Sequence, residues 1–142
     1  MSTPAPTVWP SLRYTDAPAA IRFIVDVLGF DETLVVAGDD GTVHHCQLTW
    51  PLGGGVMLGS DHRPGSGDDS FEHLPADTGS LYVVTGADAD VDAVHDRAVA
   101  AGATSLREPK DEDYGGRGCA VRDPWGVHWS FGSYRGEPPR AG

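Results

Sequence analysis

Histidine, serine and cysteine side chains are the first candidates for catalysis or metal binding in this sequence. His44 and His45 are adjacent in a predicted strand, so their side chains point to opposite faces and cannot both bind one ion. Cys46 and Cys119 do not form a CxxC motif and are expected to be small buried side chains. No serine or cysteine has a histidine at a recognisable spacing, and Gly-x-Ser-x-Gly is absent. The sequence therefore gives no support for nucleophilic catalysis.

Two further motifs have simple structural interpretations. Gly53–Gly55 lacks the Lys-Ser/Thr ending of a phosphate-binding loop and connects two predicted strands, so we interpret it as a turn. The acidic run from Asp111 to Asp113 is expected to be a solvated turn. Neither motif indicates a cofactor, and no cofactor is expected.

Composition excludes several classes of partner. The chain has 142 residues, 21 acidic and 10 basic side chains, a formal net charge of −11 and 39% hydrophobic residues. Such a chain can form one core, but its charge disfavours nucleic acid and anionic membranes. No apolar run is long enough to span a bilayer, and the start of the chain lacks the features of a signal peptide. We therefore expect a cytoplasmic protein.

The pattern of strands and helices occurs twice. Asp16 is expected to cap the first helix and Gly29 to end it, as Gly102 ends the second. The first unit has strands at 8–14, 30–37, 43–50 and 56–60, with its helix after the first strand. The second unit has strands at 80–84, 104–107, 119–122 and 127–134, with a helix at 90–101. Two strand-helix-strand-strand-strand units indicate an internal repeat.

This repeat predicts an α+β fold of two βαβββ modules, with mixed sheets that enclose a cup and helices on the outer face. Residues 1–142 are expected to form one domain, with repeats at 8–60 and 79–134. An acidic loop, 61–78, would join them, and the tail 135–142 is expected to be flexible. The sequence leaves open whether the paired sheets come from one chain or from a swapped dimer.

The chain resembles the vicinal oxygen chelate superfamily, which includes glyoxalase I, extradiol dioxygenases and bleomycin resistance proteins. The matching residues are Leu12–Asp16, Leu28–Phe30, Ala101–Ala103 and the run from Tyr114 to Gly126. That run is similar to the family's aromatic-Gly-x-Arg segment followed by Asp-Pro-x-Gly. The Asp-Pro-x-Gly portion has a simple mechanical role as a turn.

The resemblance also locates the metal ligands of catalytic members. In those members His and Glu from four strands hold a divalent ion. The corresponding positions here are Trp9, Leu58, Ser80 or Leu81, and Ser130, and none is a usual ligand. We therefore expect no metal at the standard position. A relocated site that uses His45 and His128 is an alternative.

Without the metal, the cup would become a ligand pocket. Its predicted wall and mouth carry aromatic surface with a few directional polar groups, as small-molecule sites do. Trp9 and Tyr134 would stack on a planar ligand, while Arg13 would bind a carboxylate or pair with an acid of the protein itself. The predicted residues are Trp9, Ser11, Arg13, His45, Gln47, Thr49, Leu58, His128, Ser130 and Tyr134 in the wall, with Tyr114, Arg117 and Trp125 at the mouth.

The sequence hypothesis is therefore a metal-free, glyoxalase-like homodimer that binds a small aromatic or cationic molecule, with antibiotic sequestration as one version. In the bleomycin resistance proteins, binding occurs in grooves at a dimer interface. The hypothesis favours a binding protein over an enzyme. The alternatives are a metal-dependent lyase, isomerase or dioxygenase with a relocated metal, and a non-catalytic scaffold.

Overall fold

The first helix begins and ends where its sequence signals lie. The computed structural model describes residue 6, residues 9–61 and residues 80–137. Helix α1 (Ala17–Phe23) is capped by Asp16, whose carboxylate accepts a 3.2 Å hydrogen bond from the Ala19 amide. The helix continues as a π-helical turn (Ile24–Leu28) and ends at Gly29, whose φ of 97° favours glycine.

Four strands accompany this helix. They are β1 (Ser11–Tyr14), β2 (Asp31–Ala37), β3 (Val43–Thr49) and β4 (Gly55–Ser60). Their order in the sheet is β1-β4-β3-β2, with β1 parallel to β4 and the other pairs antiparallel. The β2–β3 connection contains Asp40 at a φ of 55° and Gly41 at 77°, which suits a tight hairpin.

The second module repeats this topology. Its elements are β5 (Ser80–Val84), α2 (Asp88–Ala100), β6 (Thr104–Asp111), β7 (Arg117–Arg122) and β8 (His128–Gly132). The sheet order is β5-β8-β7-β6, with β5 parallel to β8. The expected α+β fold of two βαβββ modules is therefore confirmed.

Strand β6 is longer than its prediction, which ended the strand at residue 107. The strand extends through Pro109 to Asp111. Proline has no amide proton to donate, and it is tolerated here because β6 is the edge strand of its sheet. The register also shifts between Arg107 and Lys110, as at a β-bulge. The turn itself is confined to residues 112–116.

The two modules share one core, and aromatic side chains cross between them. Phe30 of the first module lies with its ring 5.8 Å from that of Trp129 in the second. The guanidinium of Arg97 on α2 donates a 2.9 Å hydrogen bond to the carbonyl of Val27. Helix α2 thus packs against the end of the first helical segment.

Three predictions about the chain reach beyond the described residues. The acidic loop 61–78 lies outside them except for Asp61, and so do residues 138–142 of the predicted tail. The first strand was expected to begin at residue 8, whereas β1 begins at Ser11 and residues 7–8 are not described. Within the described ranges, no helix is long and apolar enough to cross a bilayer.

Candidate functional site

Each sheet has one face packed on helices and one face without helices, here called the helix-free face. Directly paired residues point to the same side of a sheet. Leu12 and Cys46 both pair with Leu58, and all three belong to the core or pack against it. The neighbouring pair, Ser11 with Met57, therefore lies on the helix-free face.

The position predicted for Leu58 needs correction. Its side chain is fully buried in the core between its strand partners, not in a ligand wall. Because side chains alternate along a strand, an error of one position reverses the face to which a residue is assigned. Met57 occupies the helix-free position expected for Leu58.

A cavity of about 630 Å³ lies between β1 and β5, each of which is the edge strand of its own sheet. Residues 10–13 and 80–84 contribute to its wall, together with Phe30, Trp50 and Leu52. The cavity therefore occupies the seam between the two modules. Its volume lies in the range of small-molecule sites, about 300–1,000 Å³.

Aromatic side chains of both modules form part of this wall. The indole of Trp50 packs 4.8 Å from the ring of Phe30 and donates a 2.9 Å hydrogen bond to the carbonyl of Val84 on β5. Tyr82, also on β5, donates a 2.7 Å bond to the carbonyl of Tyr134. Burial is the main cause that raises the pKa of the Tyr82 phenol, which stays neutral at physiological pH.

Two predicted site residues line the cavity, Ser11 and Arg13. The Arg13 guanidinium lies across Gly59, where a Cβ atom would stand 2.7 Å from Nη1. The same nitrogen lies 3.4 Å from the carbonyl oxygen of Leu12, to which it donates. Glycine at position 59 therefore makes room for the arginine.

Four other predicted residues lie on the helix-free faces but do not line this cavity. His45 and Gln47 on β3 pair with Val36 and Leu34 of the edge strand β2. On the other sheet, His128 and Ser130 pair with residues of β5. All four are half-buried. The histidines of the alternative metal site thus belong to different sheets.

The remaining aromatic predictions have local contacts. The Trp9 indole donates a 3.2 Å hydrogen bond to the carbonyl of Pro6. The Tyr134 hydroxyl donates a 2.5 Å hydrogen bond to the Glu137 carboxylate. The rings of Tyr114 and Tyr134 pack edge-on, with centroids 5.1 Å apart. None of these three predicted residues is part of the cavity lining. Thr49, on the helix-free face, shares a 2.6 Å hydrogen bond with Thr33.

The structure also corrects the positions predicted for Arg117 and Trp125. Arg117 forms a two-pronged ion pair with Asp92 of α2, with N–O distances of 2.8 and 2.9 Å. Trp125 packs edge-on against Tyr14 and Phe23, at centroid distances of 5.8 and 5.7 Å, on the helix side. Both contacts join distant parts of the chain, which spacing along the sequence does not reveal.

The donor set does not fit the metal centre that the superfamily resemblance implies. On the helix-free faces of β1, β4, β5 and β8, the strands that supply its ligands, the only imidazole is that of His128, and there is no carboxylate. Among residues 6, 9–61 and 80–137, no three His, Cys, Asp or Glu side chains are grouped as metal ligands would be. The serine hydroxyls at positions 80 and 130 are weak ligands for a transition metal.

Several cavity residues were not among the sequence predictions. Trp50 shares the strand parity of the buried residues Cys46 and Leu48, and it does pack against the core, but it also lines the cavity. Tyr82 shares the strand parity of Ser80, and this signal could have identified it. Arg135 follows the last strand, where no periodicity predicts a direction.

Comparison with known proteins identifies a family and a related sequence. The family model for the Glyoxalase/Bleomycin resistance protein/Dioxygenase superfamily matches residues 7–131. An uncharacterized protein of Mycobacterium bovis is 37% identical over 128 residues, which cover 89% of this chain and 82% of the relative.

Solved structures agree with this result. The crystal structure of TioX from Micromonospora is 30% identical with a TM-score of 0.66, and the match covers 89% of this chain and 98% of TioX. Lactoylglutathione lyase from Agrobacterium tumefaciens shares the fold at 20% identity and a TM-score of 0.64, with 92% and 94% of the two chains covered. Because the family model covers residues 7–131, the chain belongs to the glyoxalase, bleomycin resistance protein and dioxygenase superfamily.

Proposed function

We propose that the protein binds a small, largely apolar molecule non-covalently in the cavity between β1 and β5. The observation that carries this proposal is the cavity itself, about 630 Å³ in volume and lined by Phe30, Trp50 and Tyr82. Aromatic walls with a few polar groups are typical of small-molecule sites. Sequestration of an antibiotic in the cytoplasm is one biological form of this function.

Catalysis through the family's metal is not part of this proposal. The four strands that would hold the ion offer one imidazole and no carboxylate on their helix-free faces, so the residues supply no chelating set. The alternative, an enzyme with a metal on His45 and His128, requires a third ligand. Metal analysis of the purified protein separates the two functions: a stoichiometric transition metal that is lost in His45→Ala would overturn the non-catalytic proposal.

The homodimer expected from the sequence remains part of the proposal, and the edge strand β2 is its candidate interface. All seven residues of β2 are exposed, including Leu34, Val35 and Val36. An unpaired apolar edge favours association, and an antiparallel edge can pair with its own copy about a two-fold axis. Sedimentation of the wild type and of Val36→Lys tests this: a wild-type monomer at micromolar concentration would contradict the dimer.

Binding is tested with a neutral fluorescent probe, N-phenyl-1-naphthylamine, which brightens in apolar surroundings. We expect saturable binding of one probe per chain. Ser11→Phe should abolish it, because Ser11 is an exposed cavity residue and a phenyl ring there would occupy the cavity. Thr15→Phe is the matched control, since Thr15 is exposed and outside the lining. Equal binding by both variants would show that the probe binds elsewhere.

A further inference from the structure

We propose that the molecule bound in this cavity carries an anionic group and that Arg135, with Arg13, binds that group. This inference rests on the proposed function, since it assigns the charge of the ligand for the same cavity. It differs from the sequence hypothesis, which allowed a cationic ligand.

The charge of the lining is opposite to that of the chain. Acidic residues outnumber basic ones by 21 to 10 in the sequence, yet the described lining contains two arginines, Arg13 and Arg135, and no aspartate or glutamate. Apolar walls lower the local dielectric and strengthen the interaction of a bound charge with these groups. The exposed guanidinium of Arg135 would repel a cation at this cavity and attract an anion.

Arg135 is held at the cavity by the residue that precedes it. The carbonyl of Tyr134 accepts the 2.7 Å hydrogen bond from Tyr82, itself a cavity residue, so the backbone next to Arg135 is tied to β5. The acid nearest in sequence, Glu137, accepts a hydrogen bond from the Tyr134 hydroxyl. The Arg135 side chain is exposed, as is required of a group that meets a ligand at a cavity mouth.

Arg13, on β1, supplies the second guanidinium from the first module. Its position across Gly59 places the head of this half-buried side chain on the helix-free face of the first sheet. Ser11 and Ser80 add hydroxyl donors to the same lining. A planar guanidinium can donate two parallel hydrogen bonds to a carboxylate, sulfonate or phosphate.

The chemistry of the wall therefore defines a ligand class. The body of the molecule is apolar or aromatic, matching Phe30, Trp50 and Leu52, and its charged group is an oxyanion. A neutral apolar compound would still enter the cavity but would form no charged hydrogen bonds with the two arginines. This difference makes the inference testable separately from the proposed function.

The test compares two probes that share the same rings. 8-Anilinonaphthalene-1-sulfonate is anionic, and N-phenyl-1-naphthylamine is its counterpart without the sulfonate. We expect the anionic probe to bind about tenfold more tightly, since hydrogen bonds to charged groups contribute on this scale. Its affinity should fall with added salt, which screens the charges, while that of the neutral probe should not.

Arginine variants assign the effect to the cavity. Arg135→Gln should weaken the anionic probe by about threefold to tenfold and leave the neutral probe unchanged. Arg22→Gln, an exposed arginine of α1 outside the lining, is the matched control and should change neither probe. Because Arg135 is exposed, its replacement does not endanger the fold.

The outcomes distinguish the two proposals. Equal affinity for both probes, or equal weakening of both by Arg135→Gln, would overturn the anionic assignment while the binding function stands. A preference for the anionic probe that survives in both Arg135→Gln and Arg13→Gln would also overturn it. Failure of both probes to bind would overturn the proposed function together with this inference.

Discussion

The phenol of Tyr14 donates a 2.7 Å hydrogen bond to the carboxylate of Asp123, across 109 positions of sequence and between the two modules. Asp123 is 3% exposed and accepts three further bonds, from the Trp129 indole and the backbone amides of Trp125 and Val127. The aspartate of the Asp-Pro-x-Gly segment thus shapes its turn and also joins the second module to the end of β1. Burial raises the pKa of the Tyr14 phenol, which therefore remains a donor.

Tyr14→Phe should lower the free energy of unfolding by about 1–3 kcal/mol, because it leaves a buried carboxylate with one donor fewer. Urea denaturation monitored by tryptophan fluorescence measures the change. Tyr114→Phe is the matched control, since Tyr114 is 55% exposed and should tolerate the same deletion. If the two variants lose the same stability, the intermodule bond is not an important source of stability.

Both cysteines should be unreactive in the folded protein. Cys46 and Cys119 are fully buried and free, and burial raises the pKa of each thiol from 9.0 to about 11. Since the thiolate is the reactive form, Ellman's reagent at pH 8 should label neither thiol in the native state and both in denaturant. Rapid labelling of one thiol without denaturant would contradict the packing of its strand.

The ion pair between Asp92 and Arg117 should make stability depend on pH in the acid range. The hydrogen bond from Arg117 lowers the pKa of the Asp92 carboxyl below its usual value. The stabilisation is therefore present above the unfolded pKa of about 3.9 and is lost as pH falls through the lower folded value.

Melting temperatures of the wild type and Asp92→Asn, measured from pH 7 to pH 2, test this expectation. The difference between the two proteins should be constant above about pH 5 and shrink as the solution becomes more acidic. Asp26→Asn, at an exposed position of the first helical segment, is the control and should parallel the wild type. A difference that persists unchanged at pH 2 would show that the charge of Asp92 is irrelevant.

Local signals predicted the elements well, because caps and turns are determined by nearby residues. The Asp16 cap and the left-handed glycines at positions 29 and 102 lie where spacing placed them. Cys46 was correctly expected to be buried, and alternation along β3 places Leu48 on the same buried face. These features depend on backbone conformation and the periodicity of burial, which a single sequence contains.

The candidate site was harder to predict, because it depends on contacts between modules. The wall of the ligand pocket was expected on the faces of the strands, whereas the cavity lies between the edge strands β1 and β5. Hydrophobic alternation does not reveal which strands are at the edge of a sheet. Arg117 was predicted to lie at the mouth of the ligand pocket. Its actual partner, Asp92, lies on a helix 25 positions away, and the sequence gives no sign of this contact. Arg135 was overlooked for the same reason, since only the fold brings the tail to the cavity.

Trp50 connects the two modules at the cavity, and its indole nitrogen should contribute to both stability and binding. Trp50→Phe keeps an aromatic ring near Phe30 but removes the 2.9 Å hydrogen bond to the Val84 carbonyl. We expect a loss of about 0.5–1.5 kcal/mol in the free energy of unfolding, the usual net value of such a bond. Trp9→Phe is the control, since its indole bonds only to nearby Pro6 in the described structure. Because Val84 lies on the edge strand that forms the seam, Trp50→Phe should also weaken N-phenyl-1-naphthylamine binding more than Trp9→Phe does. Unaltered probe affinity in Trp50→Phe would show that the wall does not depend on this bond.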